Sequence, residues 1–330
     1  MRTTYARSIR GVGPAAVLAL SVAFWPSSSV AQDSVAALVT RWGVFRSPRV
    51  KESSGVAVSR RHPGLLWTHN DSGDGPFLYA VDSTGNLLAT YRVQSAKNVD
   101  WEDLALAPCP NLADSSCLYI ADTGDNSESR RSVTLYVVRE PAAPARPPMA
   151  ATSPPVPSTP RDSGTAVPLL HRLVLRYPDR PHDVEALAVA PTGQISLITK
   201  GRTGPIRRFV LDRSAFARDS AIPRADQVLP IRPDPTLGYW VTGAAFSPDG
   251  HRLAVRTYRD IFLFDVGSLG LLNVDPIRCA VGPAEPQGEG IAFLDDSAMV
   301  LTSETAFGQL GTILRVVCPE VGRSRIRRSS

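Results

Sequence analysis

Trp67 to Gly75 reads WTHNDSGDG and Tyr119 to Ser127 reads YIADTGDNS, so two apolar, strand-like runs end in Asp-(Ser/Thr)-Gly-Asp, at Asp71 and at Asp122. Glu52, Glu102, Glu185 and Glu289 each open an alternating small-apolar stretch, and Glu304 closes one. Carboxylates gathered at one point cannot all stay ionised without a compensating cation. Hard oxygen donors, with no histidine cluster among them, favour Ca²⁺ over zinc. The expected metal ligands are therefore Glu52, Asp71, Glu102, Asp122, Glu185 and Glu289, with calcium as the expected cofactor. Asn70 to Gly75 also imitates the start of an EF-hand loop, but its twelfth position is Val81 and no helical pattern flanks it.

Positive charge enters the same pattern at Lys200, Arg202 and Arg256. A cation beside a metal-loaded acidic ring suits an anionic ligand. Arg202, Arg256, Glu304 and Asn126 are the expected ligand-binding residues. If the site is catalytic, Glu102, Lys200 and His69 are its candidates; like His69, His182 would act as acid or base on reaching the channel. No G-x-S-x-G elbow, P-loop or H-E-x-x-H occurs, which removes the commonest nucleophile and metal-hydrolase signatures.

Positioning such residues on one face requires a repeat, and the chain has one. Segments from Glu52, Glu102, Glu185, Thr242 and Glu289 share an apolar strand, a turn and a second strand. The turns contain Pro-Thr-Gly, Ser-Pro-Asp-Gly and Asp-Asp-Ser, residues that hairpin loops favour. Further strand-like runs follow each hairpin, giving about four short strands per unit, as in propeller blades. The expected fold is an all-β, five-bladed β-propeller, or alternatively a six-bladed one if Arg213 to Tyr239 hides extra strands. Ala36 to Phe45, a strand without a hairpin, would complete the last blade and close the ring. Neighbouring strands of a hairpin run antiparallel, so first-strand openings and second-strand ends meet on one face.

The remaining segments set the boundaries. Residues 1–31 have Arg2, Arg7 and Arg10, an apolar run shorter than the ~20 residues of a spanning helix, and small residues before Ala31. They read as a cleaved secretory signal, which places the mature chain in the periplasm or outside the cell, without membrane insertion after cleavage. One propeller domain then spans 32–320. Pro141 to Pro168 is too rich in Pro, Ala and Ser to bury a core and reads as a disordered insertion within the second blade. Residues 321–330, with four arginines, read as a solvated basic tail. The net charge of +5 is thinly spread, and no nucleic-acid partner is expected. In an oxidising compartment the four cysteines pair, and the expected disulfides are Cys109–Cys117 across a local turn and Cys279–Cys318 within the last repeat.

The motifs HNDSGD, DWEDLALAP, YIADTGDN, YPDRPHDVEALAVAP, ITKG, TGAAFSPDG and PQGEGIAF resemble those of an uncharacterised group of exported bacterial propeller proteins. The chain is more loosely similar to phytase-like, SdiA-regulated and gluconolactonase-like propellers. The gluconolactonase-like resemblance implies an axial divalent metal held by blade-opening glutamates, matched here by Glu52, Glu102, Glu185 and Glu289; Thr242 departs from the pattern. It implies no activity, because fold alone does not carry one.

The expected function is an exported, monomeric propeller that binds Ca²⁺ and a small anionic or polyhydroxyl ligand on one face. A metal-dependent hydrolase of phosphoesters or lactones, and a scaffold for a protein partner, are the alternatives.

Overall fold

The computed structural model describes residues 34–144, 164–236 and 238–319. The expected signal, the basic tail and residues 145–163 of the Pro-rich segment lie outside them. Two strands, β1 (Ser34–Ala36) and β2 (Leu38–Val44), precede the first blade. Blade one contains β3 (Ser53–Val58), β4 (Leu65–Asn70), β5 (Phe77–Asp82) and β6 (Leu87–Val93). Blade two begins with β7 (Trp101–Pro108), β8 (Ser116–Asp122) and β9 (Val133–Arg139); β10 (Thr165–Val167) and β11 (Leu169–Leu175) follow. Next come β12 (Val184–Val189), β13 (Ile195–Thr199), β14 (Arg207–Leu211), β15 (Ser220–Ala221) and β16 (Arg224–Val228) of the third repeat. Blade four is β17 (Val241–Phe246), β18 (Arg252–Thr257), β19 (Asp260–Asp265) and β20 (Ile277–Ala280). Blade five opens with β21 (Gln287–Phe293), β22 (Ala298–Glu304) and β23 (Thr312–Val317).

These strands form five sheets whose innermost members, β3, β7, β12, β17 and β21, pack side by side in a closed ring. The protein is a five-bladed β-propeller. Strand β2 pairs antiparallel with β23, so the N-terminal strand does complete the last blade. The stretch that left room for a sixth blade instead supplies β15, which joins the edge of blade two, and β16, the outer strand of blade three.

Small residues dominate the inner strands because five of them converge on the axis. A Cβ on Gly55 would stand 2.5 Å from the Leu104 nitrogen, and one on Gly290 would stand 2.9 Å from that of Val56. Between blades the side chains are larger. Trp67, Leu78, Leu118 and Tyr136 fill the first-to-second interface, and Tyr119, Leu197 and Phe209 the second-to-third. Phe262 and Phe264 lie in the third-to-fourth, Met299 and Leu314 in the fourth-to-fifth, and Phe45, Tyr79 and Val300 close the ring. Burial of such side chains contributes about 1.5–3 kcal/mol each.

The outer edges are latched by a recurring device. The segment just before the fourth strand of one blade pairs in parallel with the outer strand of the preceding blade: β10 with β6, β15 with β11, and β1 with β20. Strand β10 belongs to the Pro-rich segment, whose last residues are thus ordered, with Val167 buried. Both expected disulfides form. Cys109–Cys117 closes the β7–β8 turn, whereas Cys279–Cys318 does not stay within the last repeat: it joins β20 of blade four to the residue after β23 of blade five. The covalent staple therefore joins the outer strand of blade four to the end of β23 in blade five.

Candidate functional site

The strand registers arrange the site face in three rings. Each inner strand shifts register close to its start, between Trp101 and Asp103, Val184 and Ala186, Val241 and Gly243, Ser53 and Val56, and Gly288 and Ile291. Such bulges re-aim a side chain beside a functional site. The residues in the irregularity are Ser54, Glu102, Glu185, Thr242 and Glu289. Glu52 is therefore not the counterpart of the other opening glutamates, since Ser54 stands in that position. Two residues earlier is a second ring of Glu52, Asp100, Asp183, Trp240 and Gln287. Facing it across the hairpins are the residues that leave the second strands: Asp71, Thr123, Lys200, Tyr258 and Glu304. The backbone bonds repeat accordingly, with Asp71 N–H on the Glu52 carbonyl and Lys200 N–H on the Asp183 carbonyl, both at 3.0 Å.

Register also separates the two Asp-(Ser/Thr)-Gly-Asp motifs. Ser53 faces Asn70, but Trp101 faces Asp122, so the motifs are displaced by one position relative to each other. Because side chains alternate along a strand, the two leading aspartates have different surroundings. Asp71 joins the acidic group, while Asp122 is buried and held by Arg130 Nη2 at 2.9 Å and by the Asp100 N–H at 3.1 Å. The second aspartates serve their turns. Asp74 accepts from Asn70, Gly75 and Tyr79, and Asp125 from Ser127 and the Arg130 N–H.

At the centre, one carboxylate oxygen each from Asp71, Asp100 and Glu102 lie within 4.8 Å of one another. Gly124 leaves them room, since a Cβ there would stand 2.0 Å from Glu102 Oε1 and 2.5 Å from Asp100 Oδ2. Its role is close approach; the left-handed glycine of these motifs is Gly73, at φ 86°. Asp183, 1% exposed, accepts the Asp125 N–H on Oδ1, and its Oδ2 is sealed without a partner. Burial, followed by the charges of Asp71 and, more weakly, Asp183, pushes the Asp100 carboxyl up to about 6. Burial likewise raises Glu102, with Glu185, Asp71 and Asp100 adding to the effect, and raises Asp71. A cation at this point would relieve all of these.

The fifth blade adds Glu289 and Glu304, bridged by the Gln287 amide at 3.0 and 2.8 Å. Burial, then the charges of Glu304 and Glu185, raise Glu289, and burial with Asp71 and Glu52 raises Glu304. Lys200 from blade three bonds Glu185 at 2.7 Å, both side chains buried. Blade four contributes no acid: its three positions are Trp240, Thr242 and Tyr258.

Several expected site residues lie elsewhere. Arg256 is buried between blades four and five, donating to the Gly290 and Thr302 carbonyls and paired with Glu285. His69 is fully buried edge-on to Trp101, with ring centroids 5.5 Å apart, its Nδ1 is 3.0 Å from the Asn70 carbonyl, and burial lowers its pKa to about 4. Its Nε2 is buried without a protein partner among the described residues. Asn126 is exposed on the β8–β9 loop. Arg202 is exposed and stacks on Trp240, 4.9 Å from the ring centroid. His182 is buried with Nε2 2.9 Å from Asp179, outside the acidic group. Sequence reasoning missed Asp100, Asp183 and Tyr258. The first two could have been found by reading two positions back from Glu102 and Glu185.

Below the acids the axis is closed. Asp103 Oδ2 accepts the N–H groups of Leu187 (2.8 Å) and Ala244 (3.1 Å), and Oδ1 accepts that of Leu104 (2.8 Å). Gly55, Ala186, Gly243 and Gly290 hold the equivalent positions, so one carboxylate fits among them. The acidic residues lie together at the start of the inner strands, on one side of the Asp103 carboxylate; this face is termed the basin.

No protein-family model matches the chain, and no curated protein matches it. Among solved structures it is similar to the PQQ-bound form of an aldose sugar dehydrogenase from Streptomyces coelicolor, at 13% identity and a TM-score of 0.43, over 86% of this chain and 98% of that one.

Proposed function

We propose that the protein is an exported propeller that binds Ca²⁺ at Asp71, Asp100 and Glu102 and, beside the ion, a small polar ligand. The observation that carries this reading is the approach of three carboxylates from two blades around a glycine that makes space for them. The buried, unpartnered oxygen of Asp183 supports it. All donors are hard oxygens, the set that calcium prefers. The two disulfides suit an oxidising compartment, periplasmic or extracellular. Lys200 is engaged by Glu185 and Arg256 by Glu285, which favours ligand binding over hydrolysis that relies on either cation.

The test is thermal unfolding of the oxidised mature protein after chelation, with Ca²⁺, Mg²⁺ or Zn²⁺ restored. An ion that binds only the folded state adds about 2.7 kcal/mol at 100 times its dissociation constant. A calcium-selective rise of several degrees, abolished in Asp100→Asn, is expected. Equal melting in all conditions would remove the metal reading.

A further inference from the structure

The basin is unequal around its circumference. Blades one to three and blade five supply Glu52, Asp71, Asp100, Glu102, Asp183, Glu185, Glu289 and Glu304, whereas blade four supplies Trp240, Thr242 and Tyr258. Thr242 is occupied, its hydroxyl donating to the Glu289 carbonyl at 3.2 Å. The two aromatic residues are half-buried. Tyr258 follows Thr257, which faces Val241 across the hairpin as Thr199 faces Val184, so Tyr258 holds in blade four the place of Lys200 in blade three. Burial, then the charge of Glu289 and, beyond the opposing Lys200, those of Glu185 and Glu304, raise its hydroxyl's pKa. The hydroxyls of Tyr79, Tyr91 and Tyr119 donate to protein oxygens. Among the described residues, the hydroxyls of Tyr177, sealed in the interior, and of half-buried Tyr258 have no protein partner.

We infer that this wall, Trp240 and Tyr258 together with Gln287, Glu289 and Glu304, recognises a neutral polyhydroxyl ring and discriminates against phosphoesters. The inference rests on the cation site proposed above and names the ligand class of that same basin. Vicinal hydroxyls can donate to Glu289 and Glu304, accept from Tyr258 and complete the shell of a calcium ion, which takes 6–8 oxygens. A phosphate needs free donors, and this wall offers few: Lys200 is held by Glu185 and the Gln287 amide is already engaged by Glu289 and Glu304. Trp240, backed by Arg202 on one face, offers a rigid apolar surface to the carbon skeleton, as concave small-molecule sites commonly do. Beyond burial, Asp183, whose Oδ2 has no protein partner, adds negative charge that raises Asp71 and Asp100.

The experiment is isothermal titration of the full mature protein, first with Ca²⁺ alone, then, calcium-loaded, with myo-inositol, D-glucose, D-xylose and inorganic phosphate. Saturable binding of at least one polyol, absent after chelation, with phosphate weaker by tenfold or more, is expected. Tyr258→Phe should weaken the polyol about 3- to 10-fold, the loss of one hydrogen bond, while leaving Ca²⁺ affinity within about twofold. Trp240→Ala should weaken the polyol similarly. Three results would overturn the inference: no polyol binding by the calcium-loaded protein, phosphate binding as tightly as the polyols, or Tyr258→Phe without effect. Failure of the first titration would instead remove the calcium site itself, so the two readings fail separately.

Discussion

Gly124 lies against Glu102 so closely that a Cβ on it would stand 2.0 Å from Glu102 Oε1. The obstructing atoms are carboxylate ends of Glu102 and Asp100, which can swing away. Gly124→Ala should accordingly damage the site more than the fold. Overpacking in a rigid core costs about 1–3 kcal/mol; here the metal-free protein should melt near the wild-type temperature. Ca²⁺ affinity should fall tenfold or more, about 1.4 kcal/mol. Calorimetric titration checks it, and an unchanged affinity would show that the triad is not the binding site.

Asp103 ties three neighbouring blades through one carboxylate. Burial raises the Asp103 carboxyl well above its usual range against the three N–H donors; a hydrogen bond contributes about 0.5–1.5 kcal/mol net, and each buried donor left unpaired costs about 1–3 kcal/mol. Asp103→Ala should destabilise by about 3 kcal/mol or more. Asp103→Asn should cost less, because its oxygen can still serve Leu187 and Ala244 while its amide faces the Leu104 N–H. Urea unfolding of both variants tests this order; Asn as damaging as Ala would argue against the shared oxygen.

Asp103 also shows where sequence reading stops. Turn residues and apolar alternation predicted the hairpins, and counting them gave five blades with six as the alternative; the closing N-terminal strand followed from the need to leave no edge unpaired, and Cys109–Cys117 from its local turn. Asp103 sits in the run WEDLALAP beside a more conspicuous glutamate, and only the convergence of inner strands reveals that its counterparts are Gly or Ala. Glu52 was matched to Glu102 by residue type, whereas the bulge places Ser54 there. The two Asp-Gly-Asp echoes look equivalent in sequence, but a one-residue register difference sends Asp122 to Arg130. Register depends on pairings that one sequence does not print. Arg256 looked available for a ligand because burial, too, is a tertiary property.

The disulfides should differ in their contributions. Cys279–Cys318 closes a separation of 39 residues and Cys109–Cys117 one of 8. Chain entropy then assigns about 4 kcal/mol to the former and about 2.5 to the latter. Replacing Cys279 and Cys318 by Ser should lower the melting temperature more than replacing the other pair. It should also loosen β20, β23 and β2, readable as faster amide exchange confined to blades four and five. Equal losses, or exchange spread evenly over the ring, would contradict a local staple between blades four and five.

The metal-free protein should become less stable as pH rises, contrary to the usual behaviour of a carboxylate stabilised by a partner. Burial, then neighbouring charge, holds Asp100 at about 6 against an ordinary value of 3.8; Asp71 and Glu102 are raised for the same leading reason. A group whose folded pKa lies above its unfolded one binds more protons in the native state, so unfolding releases protons. Its stabilisation is complete below about pH 4 and is lost as pH rises through 6. After chelation the melting temperature should therefore fall between pH 5 and 7.5. With saturating Ca²⁺ the same carboxylates are held ionised by the metal, protons compete with it, and the slope should flatten or reverse. Differential scanning fluorimetry with and without chelator reads both slopes. A chelated protein that melts higher at pH 7.5 than at pH 5 would mean that the basin's acids already have compensating partners within the fold.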